Sequence, residues 1–283
     1  MALGCVIVWG SSFVVTKSLM QFLQPVQLML LRFILAYCAL WVIYPKWYFK
    51  WKEEWHFLIM AFFANTLYSW ASNTAITLTQ TTTVGVLVAT SPIITALLLP
   101  LFYKQERLTK EQAAGFGLSF IGVVLVVFNG RVAIDLQPAG ALLALLAATS
   151  WAIYGILFKR WSGSHNSVLI TRKLMFYGIL TIIPMVINQD QMIDFSSLLT
   201  VANLTKLLFL SFVSSAMCFL LWGGAIHKIG VLKASLYTYV QPLVTLIVST
   251  IFLKEKITFM GFIGILLVIV GMIYATITQK SEQ

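Results

Sequence analysis

Asn65, Ser69 and Asn73 recur four residues apart in a stretch that is otherwise apolar, with Tyr68 beside them. That spacing puts the three on one face of a helix. An amide or hydroxyl in an apolar setting is costly unless it is paired. Two chemistries answer that cost: hydrogen bonding to a small ligand in a cavity, or a bond to a neighbouring helix, worth about 0.6 kcal/mol in membranes. Ser215, Phe219 and Trp222 form a corresponding stripe, with Ser215 standing 150 residues after Asn65. Trp9 with Ser12, and Trp151 with Tyr154, make a second matched set, and Tyr237 and Gln241 lie close to Pro242. Aromatic faces with a few polar groups are the composition of a small-ligand pocket. Interfacial anchoring is the other use of such aromatics. It is the better reading for Trp47, Trp51 and Trp55, next to a basic loop.

Two prolines, Pro92 and Pro242, interrupt apolar runs 150 residues apart. Within a helix a proline frees the carbonyl four residues back, here Val88 and Thr238, which predicts kinks at a cavity or kinks that shape the bundle. The cations are the remaining candidates. Lys17 and Arg32 lie towards one end of their runs, and Lys159, Arg172 and Lys173 hold the mirrored place. They either steer a carboxylate at each mouth or snorkel to headgroups. Catalytic constellations are missing: there is no Gly-x-Ser-x-Gly, no phosphate loop and no His-Glu-x-x-His, and His56, His165 and His227 are far apart. Neither catalytic residues, a metal site nor a cofactor is expected. All nine acidic residues fall in loops or at run ends. A buried carboxylate is the usual proton relay and the usual counter-ion of a cationic drug. The pattern therefore favours neutral, zwitterionic or weakly anionic cargo.

The elements that must carry these residues follow from composition. Of 283 residues, 60% are hydrophobic and 10% charged, with a mean hydropathy of +0.91. Soluble enzymes, disordered chains and disulfide modules are excluded, since none hides this much apolar surface. The apolar runs are continuous, as in Gly117–Phe128, whereas membrane barrels alternate. At roughly 20 residues per span, ten runs can be marked: 2–22, 27–44, 55–78, 83–103, 112–129, 138–158, 168–187, 204–226, 232–253 and 258–278. Cys5, Cys38 and Cys218 read as small packing residues. The run at the N-terminus is a first span, not a cleaved signal, as it lacks a basic flank. Thirteen Lys and Arg fall in loops on the side of both termini and five on the other, so both termini are expected in the cytoplasm. The net charge of +10 is that bias, not a nucleic-acid surface.

The chain repeats. At a shift of 150, Ala75-Ile76 meets Ala225-Ile226, Pro92 meets Pro242, Thr95 meets Thr245 and Lys104 meets Lys254. At 149, Glu106 meets Glu255, Thr109 meets Thr258, Gly115 meets Gly264 and Gly122 meets Gly271. Trp9 meets Trp151, and Lys17 meets Lys159, at 142. Five spans per half is an odd number, so the halves enter from opposite sides: an inverted repeat with boundaries 1–134 and 135–283.

Trp9-Gly-Ser-Ser-Phe-Val-Val-Thr-Lys17 resembles the first-span motif of the ten-helix, EamA-type branch of the drug/metabolite transporter superfamily. Pro92, Glu106-Arg-Leu-Thr109, Gly115 and Gly122, and their copy Pro242, Glu255-Lys-Ile-Thr258, Gly264 and Gly271, are similar too. The resemblance implies a bundle of five plus five helices around a central cavity, with both ends cytoplasmic. It also implies export of amino acids, other small metabolites or drugs. The expected fold class is thus an all-α polytopic membrane protein, ten transmembrane helices in two inverted-topology five-helix repeats. Its expected function is secondary export of small metabolites, amino acids leading, across the cell membrane. Export of amphipathic drugs, or a membrane enzyme or receptor, are the alternatives. A small-molecule substrate and the bilayer are the expected partners, and a monomer suffices.

Overall fold

A computed structural model describes residues 1–79, 81–104, 109–128, 137–163, 165–187, 195–253 and 258–277. The 134/135 boundary, Glu106, Glu255 and the cations Arg107, Arg131, Lys254, Lys256 and Lys280 lie outside them.

The described residues form helices and no strands. In chain order these are α1 (Ala2–Leu19), α2 (Pro25–Ile43), α3 (Trp51–Ala61), α4 (Tyr68–Leu78), α5 (Thr81–Val88), α6 (Ser91–Phe102) and α7 (Lys110–Phe128). They continue with α8 (Pro138–Trp161), α9 (Ser167–Ile187), α10 (Phe195–Leu198), α11 (Val201–Leu208), α12 (Cys218–Ile229), α13 (Val231–Leu236), α14 (Val240–Leu253) and α15 (Phe259–Ile277). Local chemistry sets several of the ends. Pro25 and Pro138 open α2 and α8, where a missing N–H costs nothing. The Gln27 side chain accepts from the Gln24 N–H at 3.1 Å. Gly230, at φ +79°, turns α12 into α13. Among the described residues six helical segments are long and apolar enough to cross a membrane, and a shorter apolar helix runs over Phe259–Ala275. Leu97, Leu101, Phe262, Leu266 and Ile273 are exposed on the outside, the surface that lipid would cover.

Two helices are widened and two are broken. Between α3 and α4 the backbone runs as a π-helix over Phe62–Leu67, and between α11 and α12 over Phe209–Met217. Shifted by 150, the first stretch falls within the second. The chain between α5 and α6 leaves the helix at Ala89 and Thr90, and α13 passes into α14 through a tight 3-10 turn, Tyr237–Tyr239. Pro92 corrects the expectation of a kink within a continuous helix. The helix stops before it, and Pro92 is the second residue of α6, where its ring meets no preceding turn. Pro242 likewise stands in the first turn of α14.

Packing joins the two halves of the chain helix by helix: α1 to α14 and α12, α2 to α9, α4 to α8, and α7 to α15. Glycines set the closest of these approaches. A Cβ on Gly115 would stand 2.7 Å from the Gly271 carbonyl, and one on Gly271 would collide with Ser119 Oγ. At Gly122 the neighbour is the Val268 nitrogen, at 2.6 Å. Small residues at such spacing let backbones touch, which is how helices hold together without a hydrophobic drive between them. A pocket of charge fastens one end of the bundle. Glu54 accepts from Lys173 Nζ at 2.8 Å and from the Tyr177 hydroxyl, tying α3 to α9.

Replacing Gly271 by Val should overpack the α7–α15 seam by about 1–3 kcal/mol. A lowered melting temperature in detergent is the expected result. Gly117→Val, at a site with no neighbour within 4 Å, should leave it unchanged. Equal losses from both would refute the close-packing account.

Candidate functional site

A cavity of about 60 Å³ lies where the irregular segments meet. α1 lines it with Trp9, Ser12, Phe13 and Thr16, and α2 with Arg32 and Phe33. α4 contributes Tyr68, Ser69, Ser72 and Asn73. Val88 and Ser91 come from the two sides of the α5–α6 break, Trp151 from α8 and Phe219 from α12. Ser214 belongs to the second π stretch, Thr238 to the 3-10 turn and Gln241 to the start of α14.

Aromatic rings close one wall. Trp9 meets Trp151 edge-on at 5.2 Å between centroids and Trp222 at 5.1 Å, and Trp151 meets Phe219 at 5.8 Å. Behind them Tyr154 packs on Trp151 and Phe158. A second cavity of about 10 Å³, lined by Thr95, Gly155, Trp222 and Ser235 among others, lies against the same wall. Trp151 borders both spaces.

The widened backbone positions two of the lining groups. A π turn sets its carbonyls out of the ordinary ladder, and each needs a donor. Trp9 Nε1 donates to the Ser214 carbonyl at 3.0 Å, which fixes the indole plane. Ser215 Oγ donates to the Leu210 carbonyl at 2.9 Å and accepts from Arg32 Nη2 at 3.0 Å. Arg32 is thus held on the far half of the chain. None of the described residues lining the cavity is acidic.

The structure brings together Trp9, Ser12, Arg32, Tyr68, Ser69, Asn73, Trp151, Phe219 and Gln241. Others stand one layer back. Tyr154 and Trp222 support the aromatic wall, Ser215 holds Arg32, and Pro92 follows the lining residue Ser91. Tyr237 packs on the main hydrophobic core. Asn65 is a correction to the one-face expectation. It is fully buried and donates to the Leu174 carbonyl on α9 at 2.7 Å. Asn65 lies inside the π stretch, whose wider turn departs from the 3.6-residue period, whereas Ser69 and Asn73 belong to the regular helix α4 and line the cavity. Gly178 leaves room for that amide, since a Cβ there would come within 3.0 Å of it.

Of the five cations named as candidates for steering substrate, Arg32 lines the cavity and the other four do not, Lys173 being tied to Glu54. Arg172 is buried, donates to the Tyr44 and Lys46 carbonyls and lies 4.1 Å over the Trp41 ring, so its charge pins a loop. Lys159 lies 4.7 Å over the Tyr103 ring, and Lys17 is exposed in the last turn of α1. Residue types alone did not reveal Phe13, Thr16, Phe33, Ser72, Ser91 or Ser214, and Val88 and Thr238 stood out only as the carbonyls freed by the two prolines.

A helical bundle with apolar outer faces and an inner cavity of mixed polarity defines a multi-pass membrane protein. The model of the EamA-like transporter family matches residues 1–128 and 138–277, and the chain belongs to that family. It is 25% identical to a probable amino-acid metabolite efflux pump of Escherichia coli (strain K12), covering 96% of this chain and 92% of the relative. An uncharacterized transporter of Archaeoglobus fulgidus is 28% identical, over 98% of this chain and 96% of its own. One solved crystal structure superposes with a TM-score of 0.79 at 16% identity, over 100% of this chain and 97% of that one, which shows the shared fold.

On a Cys38→Ala background, Ser69→Cys should react with a small polar thiol reagent, and Asn65→Cys should stay inert. Equal labelling rates would contradict the separation made by the π stretch.

Proposed function

We propose that the protein is a ten-span secondary transporter made of two inverted five-helix halves, residues 1–134 and 135–283. It exports small metabolites, amino acids the leading class, by alternating access through the central cavity. One observation carries the reading: positions matched by the internal repeat line one cavity from both halves. Trp9 and Trp151 are such a pair, as are Ser69 and Phe219, Val88 and Thr238, and Ser91 and Gln241. A cavity on a pseudo-twofold axis can open to either face when the halves rock. Trp151, between the two spaces, is the natural partition.

The loop charges support placing both termini in the cytoplasm, and hence the cell membrane as location. The E. coli relative's name supports an outward direction and an amino-acid cargo. With no phosphate loop in the sequence, the drive is a gradient. The aromatic wall also suits an amphipathic drug, the second reading. A cationic drug would find no carboxylate among the described lining residues. An enzyme would need a cluster of titratable groups, and none lines the cavity among the described residues.

Proteoliposomes loaded with labelled amino acids should show counterflow, and Trp151→Ala should lower it by roughly tenfold or more in folded protein. A folded wild-type protein that moves no amino acid or other small metabolite in a broad panel would remove the transport reading.

A further inference from the structure

The cavity holds one charge and several idle hydrogen-bonding groups. Arg32 reaches it from α2, and its Nη2 is spent on Ser215 Oγ. A guanidinium has five N–H donors, and the Arg32 Nε is buried with no partner. Three more lining residues carry buried polar atoms without a protein partner: Asn73 Nδ2, Ser91 Oγ and Ser214 Oγ. Asn73 is 5% exposed, and Ser91 and Ser214 are each 1% exposed. No acidic residue among the described lining groups offsets the guanidinium. A cation at membrane depth is expensive and is ordinarily paired. Of the acidic groups described elsewhere, Glu54 is committed to Lys173 and Tyr177, Glu53 to Tyr48 and His165, and Glu111 is exposed in the first turn of α7, outside the cavity lining.

We infer that the ligand supplies the missing charge: the cavity takes the carboxylate of a small organic monoanion on Arg32, with Asn73 and the two serines as further donors. The planar fork of arginine matches a carboxylate in two parallel bonds. The other walls are Trp9, Trp151, Tyr68 and Phe219, which fit an apolar body rather than a second charge. An ammonium group would share the cavity with the Arg32 guanidinium and find no carboxylate among the described lining residues, so a zwitterion gains less than the corresponding plain acid, and an amine gains least. This rests on the transport reading above and narrows its cargo by charge.

Leucine supplies a matched set. Isocaproate is leucine without its ammonium, isoamylamine is leucine without its carboxylate, and methyl isocaproate keeps the body but not the charge. Binding to the purified full chain is read from tryptophan emission, since Trp9 and Trp151 line the cavity. At neutral pH the expected order is isocaproate, then leucine, then isoamylamine, with about tenfold or more between the first and last, and the ester as weak as the amine. Arg32→Gln should weaken isocaproate about thirtyfold, and Arg32→Lys should restore part of it. The ester comparison uses wild-type protein, so it stands even if the Arg32 variants fail to fold. Tighter binding of the amine than of the acid, equal binding of acid and ester, or no binding of the acid overturns the inference. If metabolite counterflow persists in that protein, the transport reading survives. If neither binding nor counterflow is found, both fall.

Discussion

Hydrocarbon offers a peptide group no water, so every carbonyl released from a regular helix must find a partner inside the protein. This constraint organises the centre of the molecule. The first π stretch exposes the Phe63 carbonyl, and Ser150 Oγ on α8 donates to it at 2.7 Å. The second exposes the Ser214 carbonyl, and Trp9 on α1 donates to it. Each half thus supplies the donor that the other half needs. The same bonds orient cavity walls, because Trp9 and Arg32 are held on the second π stretch. Irregular backbone, aromatic wall and bound cation are one unit.

The rest of the bundle keeps that unit in shape. The α7–α15 seam brings backbone onto backbone at Gly115, Gly122 and Gly271. Gly10 does the same for α1, since a Cβ there would stand 2.9 Å from the Gln241 carbonyl, beside the cavity. Thr245 Oγ1 donates to the Gly10 carbonyl at 3.0 Å, across the same approach. At the end of the bundle near the start of α3, Arg172, Glu54, Lys173 and Tyr177 tie the 44–54 segment to α9. Arg172 and Lys173, two of the candidates for substrate steering, are therefore structural ties. A buried charge costs too much to be left uncommitted, and these found carbonyls, rings or a carboxylate.

Much of the architecture is legible from composition. An apolar content of 60% in continuous runs leaves helices in lipid as the workable solution, and Pro, Trp and Gly recur at matched offsets along the chain. Trp9 and Trp151 were readable as candidates because they recur at matched positions, Ser69 and Asn73 because polar residues at helical spacing interrupt an apolar run, and Gln241 because it adjoins Pro242, and all five line the cavity. Asn65 shows where such reading stops. Its spacing from Ser69 and Asn73 is helical, but periodicity assumes 3.6 residues per turn, and the π stretch departs from that period. Pro92 fails in the same way: a proline predicts a disturbed helix, but not whether the chain bends or restarts.

The amino-acid order alone determined an all-helical membrane protein and the residue types from which any cavity must be built, because these depend on hydrophobicity and spacing along one chain. Which residues meet was decided by packing between the halves. Lys17, Arg32, Lys159 and Arg172 all read as cations towards the ends of apolar runs, Arg32 lying inside its run, and residue type does not say which of them meets a cavity. Only the crossing of α2 against the second π stretch puts Arg32 in the cavity, and only the fold of the 44–46 segment takes Arg172 out of play. Those outcomes rest on contacts between residues 126 to 183 positions apart, which no local pattern encodes.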